Sequence, residues 1–181
     1  MKTQNKKLLF LAMSGVIAAL YTVLTLVLAP LSFGNIQFRA SEAMTLLPVF
    51  TPAAIPGLTL GCAIANAAGV ATGSNMAGWL DVLFGSTATL LAAILTRLLR
   101  RIEWKGIPFL SILPPVVFNA LIVGGELAVV YQLPFWMCAL EVGAGELAVC
   151  VVLGIPMVLA IKKRHLFKNG DFSSDSKNRQ V

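Results

Sequence analysis

Arg39, Glu42, Asn66, Asp81, Asn119, Glu126 and Glu146 all stand inside, or at the ends of, otherwise apolar runs. A carboxylate held toward the centre of a bilayer costs about 2.5 to 3.5 kcal/mol on insertion scales, so such acids face a cavity or a partner. Glu126 and Glu146 are the foremost candidates of this kind. Glu42 and Asp81 read equally well as charges that stabilise helix N-termini. Asn119 and Glu126 are seven residues apart, which in a regular helix puts them on one face. Asn66 and Asn119 can either order a ligand or bond across helices. Carboxylates gathered in this way attract a small cationic solute.

Phe33, Phe38, Trp79, Phe84, Tyr131, Phe135 and Trp136 fall at the same apolar boundary. An aromatic belt is the default explanation there, and Phe38, Trp79 and Tyr131 are the members placed in the candidate site, as stacking surfaces for a flat ligand. Enzymatic machinery is not indicated: the chain has no GxxxxGK loop, no nucleophile elbow and a single histidine, His165. Cys62, Cys138 and Cys150 lack CxxC spacing, so neither a metal nor another cofactor is expected.

These residues must be positioned by membrane helices. Of 181 residues 57% are hydrophobic and 12% charged, half the charge of an ordinary soluble domain. The expected fold is all-α and integral to a membrane: six transmembrane helices in residues 1–165, at about 8–29, 41–50, 53–71, 80–99, 110–131 and 138–161, and a polar, disordered tail over 166–181. Pro48, Pro52 and Pro56 split the long uncharged stretch from Ala43 to Leu80 and leave the second span short, which requires shielding by protein or tilting. The apolar stretch after Lys6 and Lys7 is too long for a cleaved leader.

The net charge of +6 comes from bases flanking the apolar runs, not from an aromatic-interleaved patch, so nucleic acid is not expected as a partner. Lys2, Lys6, Lys7, Arg97, Arg100, Arg101, Lys105, Lys162, Lys163, Arg164 and Lys168 would share one side of the membrane, with Arg39 alone on the other. The positive-inside rule then puts both termini in the cytoplasm and the acids outside, where five acids, Glu141 included, oppose one arginine. Within the first span Ser14 and Ala18, and Gly15 and Ala19, are spaced four apart, a strip on which another helix can approach closely.

The chain also resembles the QueT family, S components of energy-coupling factor (ECF) transporters for queuosine precursors. The passages carrying the resemblance are Gly34 to Ala43, Leu46-Leu47-Pro48, Asp81 to Ser86, Leu113 to Ala120 and Val142 to Glu146. Small residues flank Glu126 and Glu146 where bulkier neighbours are expected. The resemblance implies a six-helix S component in a bacterial cell membrane. It would take a deazaguanine base such as queuine or its aminomethyl precursor, and dock on a transmembrane coupling subunit bound to two ATPase subunits. It also implies that Ser14, Gly15, Ala18 and Ala19 form the docking strip. Readings that compete are an S component for another vitamin or small cationic solute, an autonomous proton-coupled carrier, and a structural protein whose acids only join helices.

Overall fold

In lipid every backbone N–H and C=O must be satisfied within the chain, so the uncharged runs become helices. The computed structural model describes residues 2–33, 38–103 and 107–164. Five helices in it are long and apolar enough to cross a membrane. We number them α1 (Lys2–Val27), α2 (Ala54–Ala71), α3 (Trp79–Leu99), α4 (Phe109–Tyr131) and α5 (Phe135–Arg164). No strand occurs among the described residues. The expected tail, with Lys168, lies outside the described residues, as do Lys105 and the Gly34 to Gln37 part of the family passage.

The expected short second span takes a different form. Ala40–Val49 is a ten-residue 3-10 helix, which at about 2.0 Å per residue covers only ~20 Å. Ser41 through Val49 are all buried, and the segment touches all five long helices. Enclosure explains its survival: an isolated 3-10 run of this length is unfavourable, and Pro48 withholds a donor near its end.

Side-chain contacts fix the directions of the elements. Ser14 Oγ donates to the Ala53 carbonyl at 3.0 Å and Thr22 Oγ1 to that of Gly61 at 3.0 Å. Gly57 abuts Ser14 and Ile17, Gly61 abuts Ala18 and Tyr21, and Gly69 abuts Phe33. Helices α1 and α2 therefore run parallel. The 3-10 segment runs back between them, from Ser41 beside Thr25 (2.7 Å) to Pro48 and Ala53 near the start of α1. Asn66 meets Asp81 where α2 ends and α3 begins, and Thr96 donates to the Ser111 carbonyl where α3 ends and α4 begins. Gly124 of α4 lies against Ala139 of α5, and Gln132 closes α4 with φ +56°.

The bundle thus has two chemically different ends. One gathers Lys6, Lys7, Arg97, Arg100, Arg101, Lys162, Lys163 and Arg164, with Arg97 donating to the Pro48 carbonyl at 3.0 Å and Lys162 paired to Glu103 at 2.6 Å. The other gathers Arg39, Glu42, Asn66, Asn75, Asp81 and Glu126.

Candidate functional site

Two connected groups of buried polar side chains form the acidic end. In the first, Arg39 Nη2 pairs with Asp81 Oδ2 at 2.6 Å, both residues being buried. Asn75 Nδ2 donates to the same Asp81 oxygen at 2.8 Å, and Asn66 Nδ2 donates to the Asp81 backbone carbonyl at 2.7 Å. Arg39 Nε donates to the Ser32 carbonyl at 3.2 Å, and its guanidinium lies 5.3 Å from the centroid of the Phe33 ring. Glu126, on α4, stands within electrostatic reach of both Asp81 and Arg39.

The second group surrounds the start of the 3-10 segment. Tyr21 Oη, wholly buried in α1, donates to Glu42 Oε1. Glu146 of α5 faces Glu42, accepts from the Cys150 thiol at 3.6 Å and has the Asn119 side chain alongside it. Thr45 Oγ1 donates to the Glu42 carbonyl at 2.5 Å and lies 4.0 Å from Cys150 Sγ. Glu42 is also within reach of Arg39 and Asp81, which links the two groups.

Two π-helical turns set the second group in place. Asn119–Val123 interrupts α4 and Cys150–Gly154 interrupts α5. Such turns add a residue to the helical repeat and recur at functional sites. The first lies between Asn119 and Glu126, so the two residues, although both buried, serve different groups: Asn119 stands by Glu146, and Glu126 by Asp81. The second provides the close fit of Gly154 on Leu46 and Ala43 of the 3-10 segment.

Hydrogen bonding in this region is incomplete. Glu42 Oε2, Asn66 Oδ1, Asp81 Oδ1, Asn119 Nδ2 and both carboxylate oxygens of Glu126 are buried without a partner among the described residues. Buried polar groups are normally paired, so an unfilled set facing one region marks a place where a ligand completes the bonding. Gly85 belongs to the same arrangement: a Cβ there would lie 2.6 Å from Asp81 Oδ1 and 2.8 Å from Asn66 Nδ2.

The structure therefore brings Arg39, Glu42, Asn66, Asp81, Asn119, Glu126 and Glu146 to one end of the bundle. Tyr131 is 38% exposed on the rim, near Asp81 and Glu126, and Phe38 is half-buried beside Arg39 in sequence. Trp79 is 68% exposed and turned outward, as a belt residue would be. Tyr21 and Asn75 were missed as site residues. A tyrosine inside an otherwise apolar span was the signal for the first; Asn75 reads from sequence only as part of a turn. The proposed docking strip divides: Ser14 and Ala18 are buried against α2, whereas Gly15 and Ala19 face outward.

Comparison with known proteins agrees with this architecture. The pattern of a family described as QueT transporter matches residues 11–163. A curated relative from Lactococcus lactis subsp. cremoris (strain MG1363), named queuosine precursor transporter QueT, is 36% identical over 79 residues. That alignment covers 42% of this chain and 43% of the relative, less than half the length of either. No solved structure matches.

Proposed function

The chain belongs to the QueT transporter family, and from that premise we propose that it is a substrate-capture subunit which binds a queuosine precursor at its acidic end. The reading makes this chain the S component of an ECF-type importer in a bacterial cell membrane. The acidic end faces outside, and both termini face the cytoplasm with the basic end, in keeping with the positive-inside rule. ATP hydrolysis falls to two ATPase subunits, reached through a transmembrane coupling subunit that docks on α1. The chain itself is not an enzyme.

The single observation that carries the reading is the set of buried, unpaired carboxylate and amide atoms converging from the 3-10 segment and helices α2, α3, α4 and α5. A 7-deazaguanine base presents adjacent N–H donors that carboxylates accept in pairs, beside a carbonyl suited to an amide donor. Its aminomethyl form, and queuine, also carry a positive charge that the acids favour. Phe38 and Tyr131 offer aromatic surface near the rim.

Binding of radiolabelled aminomethyl-deazaguanine or queuine to the purified protein in lipid nanodiscs tests the proposal. Saturable binding that unlabelled base displaces is expected. Absence of saturable binding, or binding displaced by a vitamin and not by either base, would sink it.

A further inference from the structure

The unfilled hydrogen-bonding capacity of the site is lopsided. Glu42 Oε2, Asn66 Oδ1, Asp81 Oδ1 and the two oxygens of Glu126 can only accept, if the acids are ionised, while Asn119 Nδ2 is the amide donor left unpaired among the described residues. The orientation of the Asn66 amide is set by its Nδ2 bond to the Asp81 carbonyl, which leaves Oδ1 as the free atom. Arg39 does not redress the balance, being committed to Asp81 Oδ2 and the Ser32 carbonyl. A ligand that fills this site must bring more N–H donors than acceptors.

The acceptors are also segregated. Asp81 Oδ1, Asn66 Oδ1 and Glu126 surround the first group, in which every free atom is an acceptor. Asn119 Nδ2 lies in the second, beside Glu146 and Glu42, so that group offers one donor next to carboxylate acceptors. These two patterns match opposite ends of a single molecule. An ammonium has three donors and no acceptor. A guanine-like edge has one carbonyl acceptor beside two adjacent N–H donors.

We propose that the site fixes the direction of its ligand and selects by charge and donor count. The ammonium end sits among Asp81, Asn66 and Glu126, and the guanine-like edge sits against Glu42, Glu146 and Asn119. This rests on the deazaguanine reading and deepens it by naming the specificity-determining group, Glu126. A neutral analogue carrying a nitrile in place of the aminomethyl group would set an acceptor against acceptors and leave several buried oxygens unpaired, a mismatch that sites of this kind reject strongly.

The test compares 7-aminomethyl-7-deazaguanine with 7-cyano-7-deazaguanine, by calorimetric titration of the full chain in nanodiscs. The wild-type protein is expected to prefer the aminomethyl base by a factor on the order of 100 or more. Glu126→Gln is expected to shrink that ratio to below about tenfold, by removing the charge the ammonium faces. Glu146→Gln is expected to weaken both bases by similar factors. Thermal unfolding of each variant identifies any that fails to fold, and the wild-type ratio stands without the variants. If the wild-type protein binds the two bases within about threefold of each other, a gap worth well under 1.4 kcal/mol, the inference is overturned while the deazaguanine reading survives. If folded Glu126→Gln keeps the full ratio, the placement of the ammonium is overturned. If neither base binds, both readings fall together.

Discussion

Arg39 Nη2 lies 2.6 Å from Asp81 Oδ2, and this buried pair ties the residue just before the 3-10 segment to the first turn of α3. The same arginine reaches the Ser32 carbonyl through Nε, and the same aspartate oxygen receives Asn75. One ion pair thus joins two interhelical connections to the bundle, at the end where the candidate site lies.

Breaking a buried pair by removing one partner leaves the other charge uncompensated, at a cost of about 3 to 5 kcal/mol. Asp81→Asn and Arg39→Met are each expected to destabilise the protein by roughly that amount. The double variant Arg39→Met/Asp81→Leu is expected to lose less than the sum of the single changes. Thermal unfolding in a fixed detergent measures this, and additive losses would show that the pair contributes no coupling.

Tyr21 Oη is a hydrogen-bond donor to Glu42, whose other oxygen is already unpaired. Tyr21→Phe keeps the ring and its packing but leaves both carboxylate oxygens unsatisfied. Destabilisation of about 1 to 3 kcal/mol is expected. With Glu42→Leu in the background, the same Tyr21 change is expected to matter much less, because the acceptor is gone. Equal effects in the two backgrounds would refute the role assigned to this bond.

The long helices were legible in the sequence because apolar length alone specifies them: the expected spans 53–71, 80–99 and 110–131 match α2, α3 and α4 to within a residue at each end. The 41–50 segment was located, and its need for shielding followed from its shortness. Its 3-10 geometry depends on enclosure by all five neighbours, which no local pattern reports. The acids were legible because charge is rare in this chain. Tyr21 and Asn75 were not, since a tyrosine in a span reads as apolar bulk and an asparagine in a turn reads as a turn former. Seven-residue spacing placed Asn119 and Glu126 together, but an intervening π turn directs them to separate groups.

Helices α4 and α5 meet at Gly124, where an added Cβ would lie 2.7 Å from Ala139 Cα. Backbone cannot yield as a flexible side chain does, so Gly124→Ala must push the helices apart. A loss of about 1 to 3 kcal/mol is expected, as for other overpacked contacts. The effect should reach the site, because Glu126 is two residues on. Gly124→Ala is therefore expected to weaken base binding as well as lower the unfolding temperature. Unchanged unfolding would mean that the crossing is looser than its geometry.

Small residues on α1 serve two directions, and the difference is testable. Ser14 and Ala18 are packed on Gly57 and Gly61, whereas nothing lies within 4 Å of a Cβ added at Gly15. Gly15→Leu therefore meets no obstacle inside the protein, and replacing a helical glycine gains up to about 1 kcal/mol of helix propensity. If Gly15 and Ala19 form the surface on which a coupling subunit docks, Gly15→Leu holds that partner away. Stability and base binding by the isolated chain are then expected to stay at wild-type levels, while uptake by cells carrying the whole transporter falls by more than about tenfold. Ala18→Leu is the contrasting variant, since its side chain would enter the α1–α2 contact and lower stability before any partner is involved. Wild-type uptake by Gly15→Leu would remove this face of α1 from the docking surface.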